Sequence, residues 1–408
     1  MNELNAEECE NFVEDLLLIM YDYTLHNIHL FSREDYDATF IKYIDDYVDE
    51  IIKMIHETTE TDELSKEQLV ELIDYTINIF YEICIPPRSF RSTYILKESD
   101  SEDIEIISNR IDYLRNLPQP QQRTSEWYSF RNNLITASNA YKIFDTDASR
   151  NQLIYEKCFA FNESVIIVPE ETENFKHINV LNPMHWGQKY ERVSIMIYED
   201  MYNTKIEEFG CIKHDKYSFL GASPDGINID KESGRYGRLL EIKNVVNREI
   251  TGIPKLEYWI QMQLQMETCD LNECDFLETK FIEYETELDY LHDNCQYKGI
   301  IMYFSHLNGT PKYIYKPLHL IDETWEETMM VTYQDQGLIW VRNIYWKLEI
   351  ISCVLVVRNN LWFEYVIYDI RNFWKIIDYE RQHGFNHRKA KKRTKRVQEE
   401  EMKCLIKL

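Results

Sequence analysis

The stretch from Phe219 to Val245, FLGASPDGINIDKESGRYGRLLEIKNV, carries residue types that could do chemistry together. Asp225 lies in a Pro-Asp-Gly turn, and the segment RLLEIKNV is short and apolar, which predicts a strand. Residues two apart on a strand point to the same face, so Glu241 and Lys243 share one. Because the segment is apolar, we expect this pair to be buried, where it needs partners or a metal ion to offset desolvation.

A magnesium ion would fit these carboxylates. Asp225 could approach Glu241, and two neighbouring carboxylates raise each other's pKa unless a cation lies between them. Glu191, in an early turn of the predicted helix MHWGQKYERVSIMIYEDMYN, could supply a third carboxylate. Lys243 would then orient or deprotonate an attacking water, or stabilise charge on a phosphate. Each feature alone has an ordinary alternative, since Asp-Gly turns are common and exposed Glu-x-Lys pairs contribute little.

The segment EYWIQMQLQMETC is ambiguous between strand and helix. Its alternation of glutamine with apolar residues fits a strand. Its residues are good helix formers, however, and none of those from 261 to 267 is β-branched, so we predict a helix. Gln261 and Gln265 then share a face, and Gln263 points nearly the opposite way.

The segment RTSEWYSFRNNLITASNAYKIF predicts a short helix that Ser125 caps and that carries Arg131. Ser138 follows seven residues later. A guanidinium beside a serine suits a bidentate grip on a terminal phosphate. The ordinary alternative is a surface arginine paired with a nearby acid such as Glu126.

Charge divides the chain into three parts. The formal net charge is −26, but residues 1–120 hold 28 Asp and Glu against 9 Lys and Arg. Apolar residues recur at three- and four-residue spacing, with acids between them, in the first part of the chain, which predicts helices there. We predict an acidic helical module at 1–118, a mixed domain at 119–385 and a basic tail at 386–408, which contains RKAKKRTKR. The tail could hold phosphates, or it could be a solvated end or a nuclear-import signal.

Several classes of protein are not expected. No run of 18 apolar residues predicts a membrane-spanning helix, and the first residues do not resemble a secretory signal. The nine cysteines include no CxxC pair, which favours reduced thiols in an intracellular compartment and gives no framework for a structural zinc or iron–sulfur site.

The ordered motifs resemble the YqaJ-type viral recombinase family of the PD-(D/E)XK nuclease superfamily, the family of phage lambda exonuclease. The resemblance runs from about Gln122 to the final predicted helix. It is carried by WYSFRNNLITASNAYKIF, WGQKYE, GASPDG, LEIK and YWIQMQLQM. It implies an α/β (α+β) PD-(D/E)XK core, with a mixed central sheet flanked by helices. The N-terminal all-helical module precedes this core and is not part of the resemblance.

The resemblance also implies roles for individual residues. The expected catalytic residues are Glu191, Asp225, Glu241, Lys243 and Gln261, and the expected phosphate-binding residues are Arg131 and Ser138. The expected ligands of Mg²⁺, for which Mn²⁺ could substitute, are Glu191, Asp225, Glu241 and Ile242.

The implied function is a magnesium-dependent DNA exonuclease that works 5′ to 3′ on duplex ends in viral recombination, repair or genome processing. The alternatives are an endonuclease or flap nuclease on the same fold, and a non-catalytic interaction protein whose acidic module mimics DNA. Expected partners are double-stranded DNA ends and a single-strand annealing protein or helicase, with a homo-oligomer conceivable and no membrane. The composition suits a large eukaryotic DNA virus, which implies the host cytoplasm, the nucleus or the virion.

Overall fold

The computed structural model describes residues 5–58, 66–91, 101–121, 124–163 and 182–390. Over these residues the chain is a mixed α/β protein in which helices flank two β-sheets. The predicted fold class, a mixed sheet flanked by helices, is confirmed. None of the helices within these ranges is long and apolar enough to cross a membrane.

The N-terminal part is helical, as the apolar periodicity predicts. Its first helix begins with a capping box, in which the Asn5 side chain accepts from the Glu8 amide at 3.0 Å and the Glu8 carboxylate accepts from the Asn5 amide at 2.9 Å. The elements are α1 (Ala6–Asn27), α2 (Tyr36–Thr58), α3 (Lys66–Ile83), β1 (Phe90–Arg91) and α4 (Ser101–Arg115).

The remaining part mixes helices with strands. The helices are α5 (Ser125–Asn132), α6 (Ala137–Ala140), α7 (Asp147–Glu163), α8 (Pro183–Tyr202), α9 (Leu256–Cys269), α10 (Glu287–His292), α11 (Trp325–Asp335) and α12 (Asn360–His383). The strands are β2 (Ile135–Thr136), β3 (Ile206–Glu207), β4 (Ile212–Lys213), β5 (Leu220–Ala222), β6 (Gly226–Asn228), β7 (Leu239–Asn244), β8 (Glu273–Glu283), β9 (Lys298–Ser305), β10 (Pro311–Tyr315) and β11 (Ile339–Val357).

The larger sheet has the strand order β10-β9-β11-β8-β7-β6-β3, and β1 pairs with β11 outside this path. Strands β7 and β8 are parallel, with Glu241 opposite Phe276, and β6 pairs antiparallel to β7. A smaller sheet has the order β2-β5-β4. Strand β7 therefore lies inside the larger sheet, which explains why the charged residues of LEIK are enclosed by neighbouring strands and helices.

The loop between β6 and β7 is longer than a minimal hairpin, and ion pairs fasten it to β8. Arg235 and Arg238 both reach Asp275, which is fully buried, and Arg238 also pairs with Glu273. The Tyr198 hydroxyl donates to the same aspartate at 2.5 Å. Two arginines and a phenol satisfy the buried charge, which a single partner rarely achieves. The extra residues of this loop thus buttress the sheet without entering the cavity described below.

The acidic helices pack on the mixed part through α9. Trp259 is 1% exposed; its indole lies 5.9 Å from the Phe31 ring and donates to the Arg88 carbonyl at 3.0 Å. Arg110 of α4 donates to the Cys269 carbonyl at 2.6 Å. Side chains from both parts therefore fill one hydrophobic core. The boundary at 118/119 remains a prediction, and most of the predicted tail, from residue 391 onward, lies outside the described residues.

Candidate active site

A cavity of about 620 Å³ opens beside β7. Helices α5, α8 and α9, the turn between β5 and β6, and the start of α6 all contribute to its wall. Every residue that the sequence singled out for catalysis, metal binding or phosphate binding lines it: Arg131, Ser138, Glu191, Asp225, Glu241, Ile242, Lys243 and Gln261. These residues are separated by up to 130 positions in the chain. The motifs show only their order along the sequence, and the fold makes them neighbours.

Glu241 lies at the centre of the wall and is 1% exposed. One carboxylate oxygen, Oε1, accepts from the Lys243 ammonium and from the Gln261 amide at 2.8 Å. The other oxygen, Oε2, accepts from the Gln265 amide at 2.7 Å. Three donors hold one buried carboxylate, and they offset the desolvation that a lone buried charge would suffer.

Asp225 lies in the turn between β5 and β6 and is hydrogen-bonded to strand β7. Its amide donates to the Leu240 carbonyl at 3.1 Å, and its Oδ2 accepts from the Ile242 amide at 2.7 Å. Burial raises the pKa of Asp225 well above its ordinary value, and the carboxylates of Glu241 and Glu191 raise it further. Neighbouring carboxylates repel in this way when no cation lies between them.

Lys243 is held between a carboxylate and an aromatic ring. Its ammonium donates to Glu241, and it lies 4.8 Å from the centre of the Tyr258 ring. Burial would lower its pKa, but the charges of Glu241 and Asp225 outweigh that effect and leave the pKa of Lys243 above its ordinary value. The side chain is therefore an ammonium at neutral pH.

Glu191 reaches the cavity from α8. The helix begins after Asn182, whose side chain accepts from the Met184 amide at 3.0 Å, and Pro183 occupies the first helical position. Glu191 is half-buried, and its charge acts on Asp225 across the cavity. The helix thus presents a third carboxylate to the other two.

Arg131 lies at the end of α5 and forms no ion pair with any residue in the described ranges; the expected alternative of a pair with Glu126 is absent there. Its guanidinium lies 4.6 Å from the Trp127 ring centre and donates to the Ser223 hydroxyl at 3.3 Å. The prediction that Ser125 caps α5 is wrong. Thr124 is the N-cap, and its hydroxyl accepts from the Trp127 amide at 3.2 Å.

Ser138 is exposed on the first turn of α6. Its hydroxyl lies 3.4 Å from that of Thr136. Both residues line the cavity with Arg131, so a cation and two hydroxyls border the same space.

The carboxylates face a common cavity, but they do not form a closed metal cage in this arrangement. Among the residues that the structure describes, no three His, Cys, Asp or Glu side chains converge closely enough to hold an ion as they stand. Ile242 could contribute only its main-chain carbonyl, since its side chain has no ligand atom. Its amide is already committed to Asp225.

Sequence reasoning did not assign a role to Gln265, which is fully buried and binds Glu241 directly. The available signal was its i,i+4 relation to Gln261, which places both amides on one helix face. Ser223 and Lys157 were also missed. The Lys157 amine donates to the Arg131 carbonyl at 2.9 Å. This contact joins two helices, and no local sequence pattern predicts it.

The comparison with known families agrees with the motifs. Residues 126–272 match the family described as the YqaJ-like viral recombinase domain. This segment of the chain is therefore similar to a YqaJ-like viral recombinase domain. Every candidate residue lies inside it, and the predicted resemblance is confirmed for this segment.

The chain is also similar to an uncharacterized protein of Acanthamoeba polyphaga mimivirus, with 27% identity over 378 residues. The match covers 81% of this chain and 64% of that relative, so the chain spans less than two thirds of the relative's length.

Three solved structures have a partial likeness to this chain. An alkaline exonuclease from Laribacter hongkongensis is 19% identical; the match covers 64% of this chain and 95% of that one, with a TM-score of 0.39. The same enzyme in complex with dAMP gives 0.38 with the same identity and coverage. A phage-related exonuclease from Haemophilus somnus is 14% identical, with coverage of 61% and 96% and a TM-score of 0.32.

Proposed function

We propose that this protein is a metal-dependent DNA exonuclease that degrades duplex ends from 5′ to 3′ in viral DNA recombination, repair or genome processing. One observation carries the proposal: a cation with neighbouring hydroxyls and a cluster of three carboxylates with an ammonium border the same cavity. The first group suits a terminal phosphate, and the second suits hydrolysis of the bond next to it.

The donor set fits a magnesium ion. A carboxylate offers about four lone-pair positions, and N–H donors already occupy three of these positions on Glu241, which leaves one for a metal ion. Asp225 uses one oxygen for the Ile242 amide. Its pKa is raised by burial first and then by the charges of Glu241 and Glu191, which a cation would offset. Asp225, Glu241, Glu191 and the Ile242 carbonyl would hold the ion. When bound, Mg²⁺ would lower the pKa of an attacking water and polarise the scissile phosphate.

The protein's own groups then have separate tasks. Lys243, as an ammonium, stabilises negative charge that develops on the phosphate. Gln261 donates to Glu241 and its carbonyl oxygen lies 3.5 Å from the Lys243 ammonium, so it fixes both groups. Arg131 and Ser138 bind the terminal 5′-phosphate and place the next phosphodiester bond against the carboxylates.

Digestion of end-labelled duplexes tests the proposal. We expect Mg²⁺-dependent release of nucleotides from linear duplexes, faster with a 5′-phosphate than with a 5′-hydroxyl, and no cutting of closed circles. Arg131→Ala should slow digestion of 5′-phosphorylated ends by about 10- to 100-fold and affect 5′-hydroxyl ends far less, because the lost charge-assisted contact is absent there. Cutting of circular DNA, or equal slowing of both ends by Arg131→Ala, would favour an endonuclease.

A further inference from the structure

Gln265 connects the two halves of the cavity. Its side-chain amide, on α9, donates to Glu241 Oε2 at 2.7 Å and to the Ser223 carbonyl at 3.2 Å. Ser223 lies two residues before Asp225 in the turn, and its hydroxyl accepts from Arg131 at 3.3 Å. A continuous path of hydrogen bonds therefore runs from the expected phosphate-binding arginine through Ser223 and Gln265 to the central carboxylate.

The orientation of the Gln265 amide is fixed by its neighbours. If the amide were flipped, its oxygen would face the Glu241 carboxylate and the Ser223 carbonyl, and both contacts would become repulsive. The orientation with Nε2 toward them leaves Oε1 without a hydrogen-bond partner among the described residues. The side chain is fully buried, so leaving Oε1 unpaired costs free energy. Gln265 nevertheless keeps the orientation in which Nε2 donates to both Glu241 and Ser223.

We propose that Gln265 is a positioning residue that aligns Glu241 with the turn carrying Ser223 and Asp225, and that it thereby couples occupation of the terminal-phosphate site to cleavage. The inference rests on the proposed function and deepens it. Phosphate bound at Arg131 pulls on the Arg131–Ser223 contact, and the turn transmits that restraint to Glu241 through the Gln265 amide. Gln265 itself lines no part of the cavity wall, so it acts through these residues rather than on the substrate.

Gln263 provides a matched control on the same helix. It is also a buried glutamine, 2% exposed, but it points away from the site and binds the Val357 carbonyl at 2.9 Å and the Asn359 amide at 2.7 Å. Replacing either glutamine with methionine preserves approximate volume and removes the amide. Gln263→Met should therefore lower thermal stability without changing how the enzyme responds to a 5′-phosphate.

The experiment compares single-turnover cleavage of duplexes with 5′-phosphate and 5′-hydroxyl ends. For Gln265→Met we expect a 10- to 100-fold slower rate on phosphorylated ends, as for other residues that orient metal ligands. The ratio of the two rates should fall toward one. Affinity for phosphorylated duplexes, measured in EDTA, should stay within about twofold of wild type because Arg131 still binds, whereas Mn²⁺ affinity measured by calorimetry should fall about tenfold.

Gln265→Asn provides a second test should the methionine variant not fold. Asparagine keeps the amide but is one methylene shorter, so it cannot span Glu241 and Ser223 together, and the rate ratio should fall in the same way. An unchanged ratio in either folded variant, with both rates reduced alike, overturns the inference. Failure of the proposed function would give a different result. The wild type and Gln263→Met would then show no preference for phosphorylated ends, and the proposed role of Gln265 would be excluded as well.

Discussion

Replacing Lys157 should change how the stability of the protein depends on pH. Lys157 is 7% exposed on α7, and its amine donates to the Arg131 carbonyl at 2.9 Å. Burial, together with the positive charges of Arg131 and Arg381, lowers its pKa to about 7. Native Lys157 therefore loses its proton near neutral pH, whereas an unfolded chain keeps it until about pH 10.5.

The direction in which the free energy of unfolding changes with pH follows from the number of protons that each state binds. Between pH 7 and about 10.5 the unfolded state holds more protons than the native state, so the free energy of unfolding rises with pH. The limiting slope is about 1.4 kcal/mol per pH unit. With half of native Lys157 protonated at pH 7 and almost none at pH 9, the gain over that interval is roughly 2 kcal/mol. Below pH 7 the penalty for burying this amine is fully present.

Urea unfolding at pH 7 and pH 9 measures this gain. Other groups titrate over the same interval, so the comparison is with Lys157→Met, which keeps the length of the side chain and removes the proton. We expect the wild type to gain roughly 2 kcal/mol more than the variant between the two pH values. Lys142→Met is a suitable control, because Lys142 is partly exposed and pairs with Glu156 at 3.3 Å. This substitution should leave the pH dependence of the free energy of unfolding unchanged. A variant whose pH profile parallels the wild type would refute the reasoning.

Three further expectations follow from the site. Asp225→Asn should abolish cleavage, as EDTA should in the wild type. It should also raise the melting temperature of the metal-free protein, because it removes repulsion with Glu241. Cleavage within a few-fold of wild type would exclude Asp225 as a ligand. Lys243→Met should slow turnover by about 100- to 1,000-fold with a much smaller loss of DNA affinity, and equal losses would assign Lys243 to binding instead. Removing residues 391–408, and sparing Arg388 because it pairs with Glu380, should weaken DNA binding and its salt dependence without changing which bonds are cut. An unchanged salt dependence would point to localisation.

Much of the fold could be predicted because the decisive signals are local. Apolar periodicity predicted that the N-terminal part is helical, and the absence of β-branched residues from 261 to 267 correctly predicted that α9 is a helix despite its strand-like alternation. The attachment of the acidic helices could not be predicted, since it depends on Trp259 meeting Phe31 and Arg88 across some 170 to 230 residues. The same is true of the β6–β7 loop, whose arginines find Asp275 on another strand.

For the site, strand alternation predicted that Glu241 and Lys243 share a face, and the family resemblance of the ordered motifs predicted which other carboxylates lie with them. These signals could not predict how the donors divide between the two oxygens of Glu241, because that depends on the height and rotation of α9 above β7. Gln261 and Gln265 are one helical turn apart, about 6 Å along the axis, so they reach different oxygens of one carboxylate. Gln261 also contacts the Lys243 ammonium, whereas Gln265 contacts the turn that carries Asp225. The two glutamines thus bind the same carboxylate from one helix face and are distinguished by the oxygen that each one reaches and by the second group that each one contacts.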